Sequence, residues 1–521
     1  MDHKTPLLLA LTVLLAFAAC APAHQFTLVS SRQLRAASGV PEIDAVLGLG
    51  NRRIVGNDIV SLKNTDSDLQ IGELVYIRGR RFGKQPTVTI DSRPAAVLGL
   101  AREGGIVTRI PTGIDVGKVV VEVSNNRGTG RYQASIARLA AIISGEELRL
   151  VKVLGEHAAP RWLRTIPTPG ATHLVIESLG AVAYLAGNEN GKAKLWARDL
   201  GTIPPGKNVR QRELPGQRIV AFAASLQAAR SVVITDTHLV VIDSTEPAWP
   251  AFHKPWPLVE LGLQGQIRDC AISADGQRLA LLLNEKNRLL LFGLTKLAAL
   301  GNAPFHKAKP RPAPQPMVFD ALPEARLPVA RAIAFARTAN QLWLVSGDTR
   351  RSIAGGYQPQ RLTLFDVVAE PRLLRQVDLP KMFAPRYLAI GAGEPRPAGT
   401  SIRQAPATDA IYVAAQQSDT LKAGGKLPSG QVQRGTTFRV HGKDELKTFS
   451  GAFNVGPVIL SGKRPVLLGL VATQKKGSWQ KQLYSISPWQ RQPTAQKLDF
   501  KGAKGISKTA PLEWGGLAIQ P

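Results

Sequence analysis

A short apolar grammar, repeated roughly every 40 to 60 residues through the last two thirds of the chain, limits the fold more than any other feature. The stretch AISADGQRLALLLNEKNRLLLFGL, Ala271 to Leu294, shows the unit. An apolar strand opens it, a polar turn follows, and a second and a third strand complete it. Related units begin at Thr172 (THLVIESLGAVAYLAG), Arg218 (RIVAFAASLQAARSVVITDTHLVVIDS), Val329 (VARAIAFARTANQLWLVSGD), Pro385 (PRYLAIGAG) and Gly456 (GPVILSGKRPVLLGLVATQ). The turns at Ser273–Gln277 and Ala336–Gln341 take the same place in their units. Asp-Gly suits a tight hairpin because both central positions accept positive φ. A unit of this kind encloses no core, so it must pack against its neighbours.

Packed face to face around an axis, such units close a ring and leave few exposed edges. In pattern, the region Gly145–Pro521 resembles the WD-repeat and YVTN-type β-propellers, although the Trp-Asp and Gly-His pairs and the YVTN tetrapeptide are missing. The resemblance implies a closed ring. To the units above, ELRLVKVL (Glu147–Leu154) and APLEWGGLAIQP (Ala510–Pro521) would add a pair that closes a seventh blade. The competing reading is two unrelated β-sandwiches, with PFHKAKPRPAPQP (Pro304–Pro316) as the linker. In the propeller reading that stretch is a proline-stiffened loop between blades, carrying Lys307, Lys309 and Arg311 on one rim.

Ahead of this region, short alternating segments bounded by Gly, Pro and Asn run from Leu69: GELVYIRGRRFG, PTVTID, AAVLGL, IVTRIP and KVVVEVSNNRGTGRY. Such spacing indicates a β-sandwich. Gly72, Gly79-x-x-Phe82-Gly83, Pro111, Gly113, Gly117 and Gly128 make the stretch resemble the IPT/TIG family of immunoglobulin-like domains. The resemblance implies a surface or extracellular spacer and binding module without catalytic residues. The expected organisation is all-β: residues 24–55 as an irregular lead-in, 56–140 as the immunoglobulin-like sandwich, and 145–521 as a β-propeller of seven blades.

The start, MDHKTPLLLALTVLLAFAACAPAH, has the apolar core and small residues of an export signal covering residues 1–23, too short for a comfortable membrane span. Two processing routes are open. Ala21-Pro22-Ala23 fits a small-x-small cleavage site, whereas Phe17-Ala18-Ala19-Cys20 resembles a lipobox that would make Cys20 a lipidated N-terminus. The other cysteine, Cys270, lies in an apolar run and reads as a small core residue. A structural disulfide is not expected, so burial must hold the fold together.

Lys and Arg number 66 against 38 Asp and Glu, a net charge of +28. A field of that sign favours anionic partners. The excess is diffuse but includes Lys475, Lys476, Lys481, Arg491, Lys497, Lys501, Lys504 and Lys508, a candidate polyanion-binding face with Trp479, Trp489 and Phe500 interspersed. Its plainer reading is a solvated surface.

Local catalytic motifs are missing. GLGNRR at Gly48 lacks the third glycine of a dinucleotide fingerprint, and NTDSD at Asn64 lacks the glycine and the last ligand of a calcium loop. No G-x-S-x-G elbow occurs, and GAKGISKT at Gly502 has the wrong spacing for a phosphate loop. The eight histidines, His3, His24, His157, His173, His238, His253, His306 and His441, show no metal-ligand spacing. Asp236, Asp243 and Asp366 read as turn formers. The expectation is a non-enzymatic binding or scaffold protein, exported to the periplasm, outer membrane or cell surface, without cofactor. Its partner would be a protein or an anionic envelope polymer. Membrane attachment would come only through a lipid on Cys20, and nucleic acid is disfavoured. The alternative is a propeller hydrolase, lactonase or lyase acting on an exported substrate, with its site assembled from several blades.

Overall fold

The computed structural model describes residues 25–29, 38–49, 52–55, 58–61, 69–101, 105–114, 116–153, 161–201, 209–225, 227–243, 251–263, 267–283, 288–302, 315–320, 330–336, 339–346, 360–368, 371–379, 383–392, 409–417, 435–441, 445–449, 467–475, 478–486, 495–497 and 512–520. Nearly all of them are strand or turn, as the repeat requires. The leader with Cys20 and the NTDSD segment lie outside the described residues. The chain divides into two compact units, Met1–Ala137 with Asp199–Asn208, and Arg138–Arg198 with Val209–Pro521.

The first unit is built on two sheets. One follows the order Glu42–Gly48, Leu74–Arg80, Ile106–Arg109, Val97–Ala101, Gln25–Val29, Asp58–Ser61, Arg52–Val55. The other is built on Thr87–Ile90, Gly117–Asn125 and the start of the long strand Gly128–Ser144. Val75, Ile77 and Ile106 from the first share one apolar core with Val88, Ile90, Val121, Val123 and Ile136 from the second. The stretch expected to be an irregular lead-in is therefore partly strand. Gly79 shows why Glu42–Gly48 can pair there. A Cβ on Gly79 would stand 2.1 Å from the Glu42 carbonyl oxygen, so only glycine admits the neighbouring backbone.

The second unit is a series of antiparallel meanders. The first runs Ala171–Ile176, Val182–Glu189, Lys192–Asp199, Val209–Glu213. The second runs Ile219–Ala224, Arg230–Thr235, His238–Asp243, Ala251–Phe252, and Trp256–Pro257 also pairs with its third strand. The third is Ile267–Ile272, Arg278–Leu283, Arg288–Gly293, Met317–Asp320; the fourth is Ala330–Phe335, Gln341–Ser346, Gln360–Asp366, Arg372–Leu379. The fifth is Phe383–Ala392, Asp409–Gln417, Gly435–His441, Glu445–Phe449, and the sixth holds Leu467–Lys475, Ser478–Ile486 and Ala495–Lys497. From the first meander to the fifth, each opening strand lies beside the opening strand of the next.

Packing explains the apolar runs. In the third meander, Leu279, Leu281 and Phe292 join the core shared with the second, which includes Val232, Leu239 and Val241. The alternate residues Ala280, Leu282, Leu289 and Leu291 join the core shared with the fourth, which includes Ile333, Leu342 and Leu344. RLALLL is continuous rather than alternating because both of its faces are covered. At roughly 1.5–3 kcal/mol for each large aliphatic side chain, burial of this kind dominates the stability of the stack. This is the blade-on-blade arrangement of a propeller.

Several expectations change. The first, third, fourth and fifth units are four-stranded, the second carries a fifth strand and the sixth shows three among the described residues: fourth strands such as VRQRE and ELKTF lack an apolar run because they are outer strands. The proline-rich stretch Pro304–Pro316 joins the third and fourth strands of one meander, Arg288–Gly293 and Met317–Asp320. It is therefore neither a linker between domains nor a loop between blades. Helix Leu294–Asn302 precedes it, with Leu294 and Leu297 buried and the Leu297 carbonyl accepting a 2.8 Å bond from Trp256 Nε1. In the Ser273–Gln277 turn only Gly276 takes positive φ, +69°, so Asp275 does not adopt the mirror-image turn. The loop is longer than a two-residue hairpin, closing through Ser273 N to the Arg278 carbonyl at 3.0 Å; Ala336 N bonds the Gln341 carbonyl in the same way.

The two end segments meet as expected but not as partners. Glu147–Val153 and Leu512–Ile519 both flank Arg138–Ser144, the second half of the long strand. Ala140 pairs with Val151 on one side and Ile519 on the other. Arg161–Pro167 completes this split sheet, and Leu512–Ile519 lies beside the first meander's opening strand. Gln520 fastens the junction. Its Oε1 accepts the Leu139 N–H at 2.7 Å, its Nε2 donates to the Gly180 carbonyl at 2.6 Å, and its own N–H bonds the Leu139 carbonyl at 2.9 Å. Replacing Gln520 by Leu strands the buried Leu139 N–H. The expected loss is about 2–3 kcal/mol, read from denaturant midpoints; an unchanged midpoint would contradict the fastening role.

Candidate functional site

The opening strands share an irregularity. In each of the first five meanders one residue is squeezed out of the ladder near the start of the opening strand, between the first two cross-strand pairs in the first four and between the third and fourth in the fifth. Ala171 faces Gly187 and His173 faces Ala186, leaving Thr172 extra. Val220, Arg268, Arg331 and Arg386 are extra in the same way between Ile219 and Ala221, Ile267 and Asp269, Ala330 and Ala332, and Pro385 and Tyr387. A bulge bends its strand and re-aims the side chain it carries. Three of the five positions hold arginine.

The bulges gather at one end of the stack. Arg268 Nη1 donates to the carbonyl of Ala330, the residue before the next bulge. Asp269 Oδ2 accepts the Ile333 N–H at 2.9 Å, and its Oδ1 accepts the Cys270 N–H at 2.9 Å. At the opposite end the loops following the opening strands join instead, with Ser225 Oγ donating to the carbonyls of Ser273 (3.0 Å) and Ala274 (2.8 Å). The bulge end is where each meander is entered and is called the entry rim. There Thr172 is exposed, and Val220, Arg268 and Arg331 are half-buried. Arg386 occupies the equivalent backbone position.

Two titratable groups stand beside the bulges. Burial pushes the Asp269 carboxyl up to about 7, against the opposing effect of its two N–H bonds. Burial pushes His173 down to about 4, with its Nδ1 2.8 Å from Thr172 Oγ1. Cys270 is a free, buried thiol held well above its ordinary range by burial and by Asp269, in keeping with a core role.

Away from the rim, Asp243 centres an ion network. Burial alone would raise its pKa, but Arg230 and His253 hold it below the ordinary value. Arg230 Nε lies 2.6 Å from Oδ1 and His253 Nε2 lies 2.7 Å from Oδ2. Asp243 is thus an ion-pair residue rather than the expected turn former. Asp366 does cap a turn, accepting the Val368 N–H at 3.0 Å, whereas Asp236 accepts the N–H of Gln217 at 2.9 Å, 19 residues earlier in the chain. Among the described residues no cluster of three metal-ligating side chains occurs.

Of the basic residues singled out near the C-terminus, Lys475, Lys481 and Lys497 lie on strands of the sixth meander. Lys476, Arg491, Lys501, Lys504 and Lys508 lie outside the described residues. The entry-rim arginines carried a sequence signal that periodicity alone overlooks: the recurring second-position arginine of IRD, ARA and PRY at the openings of three successive units.

No family model matches the chain, and no curated protein matches it. Similar solved structures include the periplasmic gluconolactonase of Pseudomonas aeruginosa, 12% identical, covering 74% of this chain and 99% of its own, with a TM-score of 0.46. A putative 6-phosphogluconolactonase of Bacteroides fragilis is 11% identical over 74% of this chain and 97% of its own, with a TM-score of 0.45. The β-propeller domain of Cps50 from Myceliophteria thermophila is 11% identical over 67% and 89%, with a TM-score of 0.38.

The two rim groups act on stability with opposite signs. Folded Asp269 keeps its proton to higher pH than the unfolded chain does, so its contribution falls as pH rises from about 4 to about 7. Unfolded His173 binds a proton that the folded form resists, so its contribution rises from about pH 4 to about pH 6.5. Each is bounded by one proton, about 1.4 kcal/mol per pH unit. Stability of Asp269→Asn relative to wild type should therefore climb with pH through that window, and that of His173→Gln should fall. Parallel stability–pH curves for all three proteins would refute the assignment.

Proposed function

We propose that the chain is an exported binding protein whose meanders and split sheet close a ring of seven blades, with the entry rim as the recognition surface for an anionic envelope partner. Closure is supported by the split sheet, in which the last strand of the chain completes a four-stranded sheet with Arg138–Ser144, Glu147–Val153 and Arg161–Pro167. The first unit, residues 56–140 in the sequence reading, serves as an immunoglobulin-like spacer of the IPT/TIG type. Its two sheets over one core and the close approach at Gly79 support that reading. The leader directs export, with Cys20 as the lipid-bearing residue if the lipobox is used.

One observation carries the binding role: bulges repeated at one end of adjacent strands place Arg268, Arg331 and Arg386 at equivalent positions. Guanidinium groups present forked donors suited to carboxylate and phosphate oxygens. The basic residues from Lys475 to Lys508 extend the positive field that draws such a partner in. The hydrolase reading has its best support in Asp269, a carboxyl poised near neutrality beside the rim. Against it, both oxygens of that carboxyl already accept backbone N–H groups.

The test is binding of the purified mature protein to lipopolysaccharide across a salt series. Affinity should fall steeply with salt, and Arg331→Ser with Arg386→Ser should weaken it about tenfold or more while leaving the melting temperature near wild type. Salt-independent binding, or full binding by the double variant, would remove the rim from the role. Intact-mass measurement of the membrane-extracted protein tests anchoring separately: a diacylglyceryl mass on Cys20 is expected for the lipobox route, and a chain starting at His24 would exclude it.

A further inference from the structure

The strand Leu512–Ile519 repeats the rim irregularity on a larger scale. Ile519, Ala518 and Leu517 face Ala140, Ala141 and Ile142 in turn, but the next pair is Leu512 with Ser144. Glu513, Trp514, Gly515 and Gly516 therefore stand opposite the single residue Ile143. Two adjacent glycines suit the excursion and return that such an insertion needs.

The insertion lies at the entry rim. Gln520, just past the end of the strand, donates from Nε2 to the Gly180 carbonyl, in the loop that follows the first meander's opening strand. These two neighbouring strands thus finish at the same end and begin at the same end. Residues 513–516 fall near the start of their strand, as Thr172, Val220, Arg268, Arg331 and Arg386 do.

The rim then has two unlike arcs. Followed from Leu512–Ile519 along the neighbouring opening strands, the extra residues are Glu513 and Trp514, then Thr172, then Val220, and only then the three arginines. Thr172 is exposed, and His173 beside it is kept neutral by burial. Glu146, exposed in the turn after Ser144, puts a second acidic residue at this end beside Glu513. A partner made of negative charge alone would meet repulsion along this arc. An indole offers a broad apolar face, and carboxylates accept hydroxyl protons. A pyranose ring presents both C–H faces and hydroxyls.

We propose that the anionic partner is an acidic glycan. Its sugar rings seat on the arginine-free arc, with Trp514 as the stacking residue and Glu513 as a hydroxyl acceptor. Its carboxylate or phosphate substituents are taken by Arg268, Arg331 and Arg386. Two opening strands, Ala171–Ile176 and Ile219–Ala224, separate Trp514 from Arg268, so the ligand is an oligosaccharide rather than a single sugar. The proposal rests on the entry rim being the recognition surface and adds a selectivity that the arginines alone do not supply.

Two probes at fixed ionic strength, added to the full mature protein, separate the claims: oligogalacturonate, which carries sugar and carboxylates, and inorganic polyphosphate, which carries charge alone. Trp514→Ala should weaken oligogalacturonate binding about tenfold or more and leave polyphosphate binding within about twofold. Arg331→Ser with Arg386→Ser should weaken both. Unchanged oligogalacturonate binding by Trp514→Ala, or equal loss of the two probes, would overturn the glycan assignment. So would a wild type that binds polyphosphate alone, although the rim reading would then stand. Binding of neither probe would overturn both readings. Should Trp514→Ala fold poorly, oxidation of the wild type by N-bromosuccinimide, mapped by peptide mass, decides. Oligogalacturonate should protect Trp514 and polyphosphate should not; equal oxidation with both refutes the assignment.

Discussion

Two-sided burial of the meanders is the constraint from which the rest follows. A strand such as Arg278–Leu283 sends Leu279 and Leu281 one way and Ala280 and Leu282 the other, and each set lies in a different core. A sheet with two apolar faces is stable only between two neighbours. The first and last sheets of a linear stack would each leave one face in water. Pairing Leu512–Ile519 with Arg138–Ser144 removes that difficulty for the first meander, because this strand of the split sheet then lies beside its opening strand. The hydrogen bonds of Gln520 fix the register of that strand, since a one-residue slip would reverse which side chains face each core.

How much of this was legible depends on whether a segment is inside or outside a core. The second and third strands of the units announced themselves by apolar runs such as LALLL and LVVI. Fourth strands such as Val209–Glu213 did not, because an outer strand keeps its backbone pairing while its side chains meet water, and VRQRE looks like any polar loop. Glu42–Gly48 was hidden for a related reason: its pairing with Leu74–Arg80 depends on room made by Gly79, far away in sequence. The path through Pro304–Pro316 was misread because proline richness marks a break in secondary structure without saying which strands lie on either side.

The candidate site was less legible than the fold. Lone arginines at the starts of apolar strands look like ordinary solvated ends. They become a set only when register shows one residue squeezed out near the start of the opening strand in adjacent meanders. Asp243 illustrates the opposite error. Its position at a strand end suggested a turn, whereas its partners Arg230 and His253 come from either side of it in sequence. Pairings of this kind are set by cross-strand geometry, which composition does not encode.

The rim bulges also reconcile two demands that otherwise conflict. Opening strands are crowded by their neighbours, so a long cationic side chain in regular alternation would be driven between apolar sheets, where an isolated charge is expensive. An extra residue interrupts the alternation once, at the strand's beginning, and then restores it. Below the bulge, Cys270 and Ile272 face one core and Ala271 the other, so the packing pattern survives the insertion. Arg268 is left at the margin, half-buried, with its Nη1 donating to the Ala330 carbonyl. A charged side chain is thereby held in position by the same strands whose apolar faces stabilise the stack, and recognition and folding draw on one feature of the backbone.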